Sequence, residues 1–170
     1  MEIIGYVLTG GLEHQDSMSM GTVIRPGEVQ CMSAGSGVTH SEYNASGEEP
    51  VNFLQIWIQP NVYGVEPGYE QKAYHDELSG QLRLVASPDG RDNSLTIHQD
   101  ACLYATRLKQ GEQVEHRLVT GRTVYIHVAR GKVILNNIEF SSGDGATLQE
   151  EEGINLQTRG EAEALLFDLS

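Results

Sequence analysis

Hydrophobic residues along the chain come in short runs that are either continuous or alternate with polar residues. Gly, Pro, Asn and Asp separate the runs, as in "IIGYVLTG", "TVIRPGEVQCMS" and "TVYIHVARGKVILNN". This pattern is typical of β-strands, at the spacing found in sandwiches and barrels. In "VNFLQIWIQP", alternation places Leu54, Ile56 and Ile58 on one face and Trp57 on the other, where we expect it to pack between sheets rather than line a cavity. The pattern therefore predicts an all-β protein.

The strand pattern is interrupted once and then resumes. Residues 60–80 carry prolines, glycines, tyrosines and acidic residues without a clean period, which indicates a connector. The stretch from Gly5 to His40 then matches the stretch 126–156 in its order of strands and glycine turns. We therefore predict two domains, 1–66 and 67–170. Aligned on their glycines, the halves pair His40 with Leu156 and Glu42 with Thr158, so any metal site is expected in the first half only.

Composition narrows the class of partner. The 170 residues carry a formal net charge of −13, which would repel phosphate backbones and anionic membranes, so a small molecule or another protein is the expected partner. No apolar run approaches the roughly 18 residues of a membrane span, and the N-terminus lacks a signal-peptide pattern, so a cytoplasmic location is expected. The two cysteines, Cys31 and Cys102, lie far apart and are expected to be buried thiols.

One short stretch carries candidate metal ligands. "GSGVTHSEYN", residues 35–44, places His40 and Glu42 two positions apart after a glycine-rich turn. On a strand, side chains at i and i+2 leave the same face, so both would point into one pocket. A histidine and a glutamate at this spacing are by themselves more often a structural or surface pair.

The surrounding residues make the pattern more specific. Gly27, Gly37, His40 and Asn44 resemble the second motif of cupins. "MSAGSGVTHSEYN" resembles more narrowly the pirin family, two-domain cupins that include bacterial quercetin 2,3-dioxygenases. "MEIIGYVLTGGLEHQDSMSMG", "NFLQIWIQP", "SLTIHQDACLY" and "ALLFDL" also look like this family, so the resemblance covers essentially the whole chain. It implies two cupin-type, jelly-roll barrels.

The resemblance also implies a ligand set of three histidines and one glutamate around a divalent first-row metal. Carried over, His40 is one imidazole ligand and Glu42 is the carboxylate. The family's other two histidines come from a His-Pro-His segment just upstream of "MEII", and this chain begins at that methionine. We therefore expect a first barrel that is incomplete at its N-terminus, either because the chain is a fragment or late-start version, which we favour, or because the metal chemistry is lost. Two protein ligands are expected to hold a metal weakly.

One glutamate and the other histidines are candidate substitute ligands. Glu2 matches the carboxylate of the first cupin motif, but its position in a chain terminus favours fraying over metal binding. His14 is expected in a hairpin near solvent, and His75 in the exposed connector. Structural or surface roles are expected for the histidines of the second half, His98, His116 and His127.

The function implied by the resemblance is a metal-dependent dioxygenase that acts on a flavonol-type, quercetin-like substrate with O₂. Fe(II) is the first expectation for the metal, with Ni, Zn, Mn or Co as alternatives. Glu42 would be both ligand and catalytic base. Two alternatives stay open: a non-catalytic interaction or regulatory module with a protein partner, and a small-molecule-binding cupin. Neither direct nucleic-acid binding nor membrane binding is expected.

Overall fold

The computed structural model describes residues 1–16 and 21–170, and it is built almost entirely of strands. Residues 17–20, which belong to the first family-like stretch, lie outside the described residues. In chain order the strands are β1 (Glu2–Thr9), β2 (Leu12–Asp16), β3 (Thr22–Ile24), β4 (Glu28–Ser33), β5 (His40–Asn44), β6 (Asn52–Ile58), β7 (Gly68–Ala73), β8 (Arg83–Ser87), β9 (Leu95–Thr96), β10 (Ala101–Leu108), β11 (Gln113–Arg117), β12 (Thr123–Leu135), β13 (Ile138–Ser141), β14 (Gly145–Leu148), β15 (Gly153–Gln157) and β16 (Ala162–Leu169). Two short 3₁₀ helices, His75–Leu78 and Arg91–Asn93, complete the regular structure of the described residues. None of the helices in this part of the chain is long and apolar enough to cross a membrane.

The chain divides into two compact units. The first unit comprises residues 1–75 and 88–99, and the second comprises residues 76–87 and 100–170. This division does not follow a single cut after residue 66. β7 lies within the predicted connector and pairs antiparallel with β4, which keeps residues 68–73 in the first unit. Division by compactness is a different criterion from homology, so the assignment of cupin domains to 1–66 and 67–170 stays a prediction.

The first unit contains two antiparallel sheets. One has the strand order β6-β1-β4-β7, and the other has the order β3-β2-β5. β1 is buried along nearly its whole length because it is central in its sheet. A small apolar cluster of Val7, Leu12 and Ile24 packs where the two sheets meet.

The second unit is built around β12, which is long enough to take part in several pairings. The sheet path runs β11-β15-β12-β16-β10-β8, and β13 and β14 also pair with β12. The large apolar cluster of this unit combines residues of β12 with residues from the strands on both sides of it, including Leu135, Ile154, Leu156 and Leu166, each no more than 3% exposed. Burial of this cluster is the main stabilising term of the second unit.

The predicted internal repeat is visible in the pairing of the strands. β1 and β2 together correspond to β12. In the first unit β1 pairs with β4 and β6, and β2 pairs with β3 and β5. In the second unit β12 pairs with β14 and β16 along its first part, and with β13 and β15 at its end. The ladder of β1 is irregular between Val7 and Thr9, and that of β12 between Val128 and Arg130. Directly after each irregularity a glycine has positive φ, 75° at Gly10 and 73° at Gly131. The two halves thus share one topology and one bulge.

The residue-by-residue alignment of the halves requires a correction. His14 faces Glu42 across the β2–β5 ladder, and Leu135, the counterpart of His14 when Gly10 is matched to Gly131, faces Leu156. Glu42 therefore corresponds to Leu156, two positions from the predicted match with Thr158, and His40 corresponds to Ile154. The cause is the loop before the strand, which spans residues 34–39 in the first unit and 149–152 in the second. Matching the loop glycines therefore misplaced the strand by two positions.

Two further expectations concern burial. Cys31 and Cys102 are buried thiols, as predicted. The prediction that Trp57 packs between sheets was wrong, because its side chain is 64% exposed. Trp57 does lie on the predicted face of β6, but the described residues of the first unit do not cover that end of the face.

Candidate metal centre

His40 and Glu42 lie at alternate positions of β5 and converge on the same neighbour. β5 pairs with β2 in a register that places Asp16 opposite His40 and His14 opposite Glu42. The rings of His14 and His40 stack with their centroids 5.6 Å apart, and His14 Nδ1 lies 3.8 Å from Glu42 Oε1. Because both side chains contact one imidazole, they share a face of the strand as alternation requires.

His14 is the residue at the centre of this group, and the expectation that it lies near solvent was wrong. Its side chain is fully buried, and its ring stacks on Tyr69 at 5.0 Å as well as on His40. The sequence did hold a signal: Leu12 is apolar, and side chains at positions 12 and 14 of a strand leave the same face. Residues on the buried face of β2 thus bring an imidazole next to the candidate ligands.

The carboxylate of Glu42 is held by two amides. Gln30 Nε2 donates to Glu42 Oε1 at 2.9 Å, and Gln55 Nε2 donates to Glu42 Oε2 at 2.7 Å. Gln30 is 1% exposed, whereas Gln55 lies at the exposed side of the group. Only 13% of the Glu42 side chain is exposed, so the two amide donors replace much of the water that a carboxylate would otherwise bind.

Tyr69 forms one wall of the group. Its hydroxyl lies 2.8 Å from Thr22 Oγ1 and donates to Gln71 Oε1 at 3.0 Å. Gln71 in turn donates to Glu28 Oε2 at 3.2 Å, away from Glu42. These contacts fix the ring against which His14 stacks.

Glu2 lies elsewhere, on the other face of the β1 sheet. Glu2 and Gly5 are three positions apart on β1, so they face opposite sides of the sheet, and the Gln30 side chain lies on the Gly5 side. Glu2 is fully buried, and its Oε2 accepts hydrogen bonds from Ser33 Oγ at 2.7 Å and from the backbone N–H of His98 at 3.3 Å. His98 lies in the first compact unit, and its contact with Glu2 gives both residues a structural role there. Glu2 does not join the group around Glu42.

The remaining histidines do not contribute donors to this group. His75 is exposed, as predicted. His116 Nε2 lies 3.1 Å from Asp168 Oδ2 within the second unit, which is the structural role expected for it. His127 is half-buried on β12, also in the second unit.

The donor set has the chemistry of a first-row metal site but not a complete shell. Imidazole nitrogen and carboxylate oxygen suit Fe, Ni and Zn ions, and tight sites usually use three or four such groups. Within residues 1–16 and 21–170, no three His, Cys, Asp or Glu side chains are gathered closely enough to hold a metal ion. His40 and Glu42 thus fit part of such a site.

Comparison with known proteins covers both halves of the chain. A family model described as Pirin matches residues 1–58, and one described as Quercetinase C-terminal cupin domain matches residues 84–169. The chain is 45% identical over 169 residues to a protein named quercetin 2,3-dioxygenase from Escherichia coli K12. The alignment covers 99% of this chain and 72% of that protein.

Solved structures give the same result. The crystal structure of YhhW from Escherichia coli matches with a TM-score of 0.93 and 43% identity, over 99% of this chain and 71% of that one. The structure of bacterial pirin YhhW in complex with nickel(II), from the same organism, matches with a TM-score of 0.91 and 44% identity, over 99% and 72%. The predicted all-β, cupin-type fold is confirmed. From its matches in sequence and structure along nearly its whole length, the chain belongs to the pirin family.

Proposed function

We propose that this chain contributes His40 and Glu42 to the divalent metal centre of a pirin-type dioxygenase. The observation that carries the proposal is the convergence of His40 and Glu42 on one face of β5, where both contact the buried ring of His14. The relative crystallised with nickel(II) supports a divalent ion, and the relative named quercetin 2,3-dioxygenase supports a flavonol-type substrate with O₂.

His40 has the simpler role in this proposal. Its imidazole would donate one nitrogen to the metal, and stacking on His14 restricts the rotation of its ring. A site of this donor type accepts several first-row ions, with Fe(II) as the proposed resident metal and Ni(II) as the ion for tests. The bound ion would polarise substrate oxygens as a Lewis acid and keep positions open for ligands.

Glu42 would act both as ligand and as base. Its two oxygens accept hydrogen bonds from the amides of Gln30 and Gln55, and each oxygen retains a further acceptor position. A carboxylate beside a bound substrate hydroxyl could take that proton on Oε1 or Oε2. An amide at this position could still offer a weak oxygen donor, but it could not take a proton.

The proposal is tested with the variants His40→Ala and Glu42→Gln, and with His127→Ala as the matched control from the second unit. Ni(II) affinity is measured by calorimetric titration, and O₂ uptake with quercetin is measured on the Fe(II)-loaded protein. We expect His40→Ala to abolish Ni(II) binding, Glu42→Gln to reduce turnover more than binding, and His127→Ala to leave both unchanged. Ni(II) binding that survives His40→Ala unchanged would contradict the proposal.

A further inference from the structure

The amides of Gln30 and Gln55 form a clamp on the Glu42 carboxylate, and Gly5, which has no side chain, lies between them in the sheet. Gly5 lies opposite Gln30 on one side of β1 and opposite Gln55 on the other, so the three residues form one row across the sheet. A Cβ atom at Gly5 would lie 2.7 Å from Gln30 Nε2 and 2.8 Å from Gln30 Cγ, closer than such atoms approach. The Gln30 side chain thus lies over the backbone of Gly5, in space that any other residue would fill.

Gln30 is held there for its contact with Glu42. Its Oε1 is buried and accepts no hydrogen bond from the described residues, so the Nε2 contact with Glu42 is the hydrogen bond that accounts for its orientation.

The second unit provides an internal comparison. The row that corresponds to Gln30, Gly5 and Gln55 is formed there by Ala146, Ile126 and Leu166, with the same pairing. The counterpart of Glu42 in that unit is Leu156.

In that unit the four positions belong to the apolar core or pack against it. The large residue also lies on a different strand: in the first unit glutamine on the flanking strand faces glycine on the central one, whereas in the second unit alanine on the flanking strand faces isoleucine on the central one. All four positions thus differ between the units, and the second unit has no polar side chain at any of them.

We propose that Gln30 and Gln55 are positioning residues that fix the carboxylate of Glu42 for metal binding, and that Gly5 makes room for Gln30. This inference rests on the proposed metal-binding role of Glu42. Hydrogen bonds to a ligating carboxylate restrict its rotation before the ion arrives, and their loss typically weakens metal affinity by about 10- to 100-fold.

The test compares Ni(II) affinity by calorimetry in the full chain and in Gln30→Met, Gln55→Met and Gly5→Ala. Gln59→Met is the matched control, because Gln59 lies in the same unit but its amide donates to Tyr63 rather than to Glu42. We expect about tenfold weaker Ni(II) binding for Gln30→Met and Gly5→Ala, and a loss of similar size for Gln55→Met. Gln59→Met should keep its affinity even if its melting temperature falls.

Gly5 makes no polar contact of its own with Glu42, so its effect must pass through Gln30. The double variant Gly5→Ala/Gln30→Met should therefore bind Ni(II) no more weakly than either single variant. Two results would overturn the positioning role and leave the metal site intact. One is a double variant in which the two losses of Ni(II) affinity add. The other is a Gln30→Met variant with unchanged Ni(II) affinity, when His40→Ala removes Ni(II) binding.

A second measurement separates this inference from the proposed function. In crystal structures of the metal-free protein, the Glu42 carboxylate should be rotated or disordered in Gln30→Met and ordered as here in Gln59→Met. That result would support the clamp even if His40→Ala had no effect on Ni(II), in which case the metal proposal alone fails. An unchanged Glu42 in a double variant Gln30→Met/Gln55→Met would overturn the clamp.

Discussion

Gly10 connects β1, which carries Gly5, to β2, which carries His14, and the structure allows the cost of replacing Gly10 to be estimated. Its φ is 75°, and a Cβ atom would lie 2.7 Å from the carbonyl oxygen of Pro50 and 3.0 Å from Val51 Cα. Gly64, in an exposed loop of the same unit, has a φ of 73° with nothing within 4 Å of the same atom. The pair shares the backbone conformation and differs in the space around it.

Alanine at either position pays for a left-handed conformation, about 1 kcal/mol. At Gly10 the added methyl group also meets backbone, which cannot rotate away as a side chain can, and overpacking of this kind costs about 1–3 kcal/mol more. We therefore expect Gly64→Ala to lose about 1 kcal/mol of unfolding free energy, and Gly10→Ala about 2–4 kcal/mol.

The assay is equilibrium unfolding in urea followed by far-UV circular dichroism, with hydrogen exchange of β1 and β2 amides to report on the first unit alone. With a slope of about 1–3 kcal/mol per molar urea, the two midpoints should differ by about 1 M. Equal losses for the two variants would refute the reasoning, since they would show that the contact with Pro50 is relieved at no cost. A loss at Gly10 confined to exchange in the second unit would refute it as well.

Two further predictions concern buried groups. Burial, and then the nearby carboxylates, raise the pKa of the Cys31 thiol, so less thiolate forms at pH 8. Iodoacetamide should therefore alkylate Cys31 only after the protein is unfolded. Mass spectrometry of native and urea-treated protein measures this labelling, and rapid labelling of the native protein would contradict the prediction. In the second unit, Arg122 donates to the 7% exposed Asp168, so Arg122→Met should cost about 3 kcal/mol by urea unfolding, because it leaves a buried carboxylate short of donors. Lys132→Met, which breaks an exposed ion pair on β12, is the control and should change little.

Sequence reasoning was strongest where a local period decides the structure. The alternation in "VNFLQIWIQP" predicted the two faces of β6, and the spacing of His40 and Glu42 predicted that they share a face. Burial of His14 followed the same rule, but a hairpin histidine was assigned to solvent because its partners, Glu42 and Tyr69, are distant in the sequence.

Long-range contacts were beyond the sequence for the same reason. Gln30 and Gln55 lie on strands whose polar positions look like a solvated face, and nothing local shows that both amides turn toward one carboxylate. Glu2 and His98 meet across 96 positions. Loop length also affected the alignment of the halves. The loop before β5 is two residues longer than the loop before β15, and this difference shifted the alignment by two positions.

The comparison of the two units indicates why the proposed metal site would be confined to the first of them. A carboxylate at the position of Leu156 would enter a core in which Ile126, Ala146 and Leu166 offer no donor, and an uncompensated buried charge is costly. Conversely, an apolar residue in place of Glu42 would strand the buried amide of Gln30, and a larger residue at Gly5 would displace it. In each unit the residues of the row and the residue that faces them therefore fit one another only as a set, both in side-chain volume and in polarity. The two units therefore share their strand topology, a bulge and a glycine, while the interior of the second is a packed core and that of the first holds the proposed metal site.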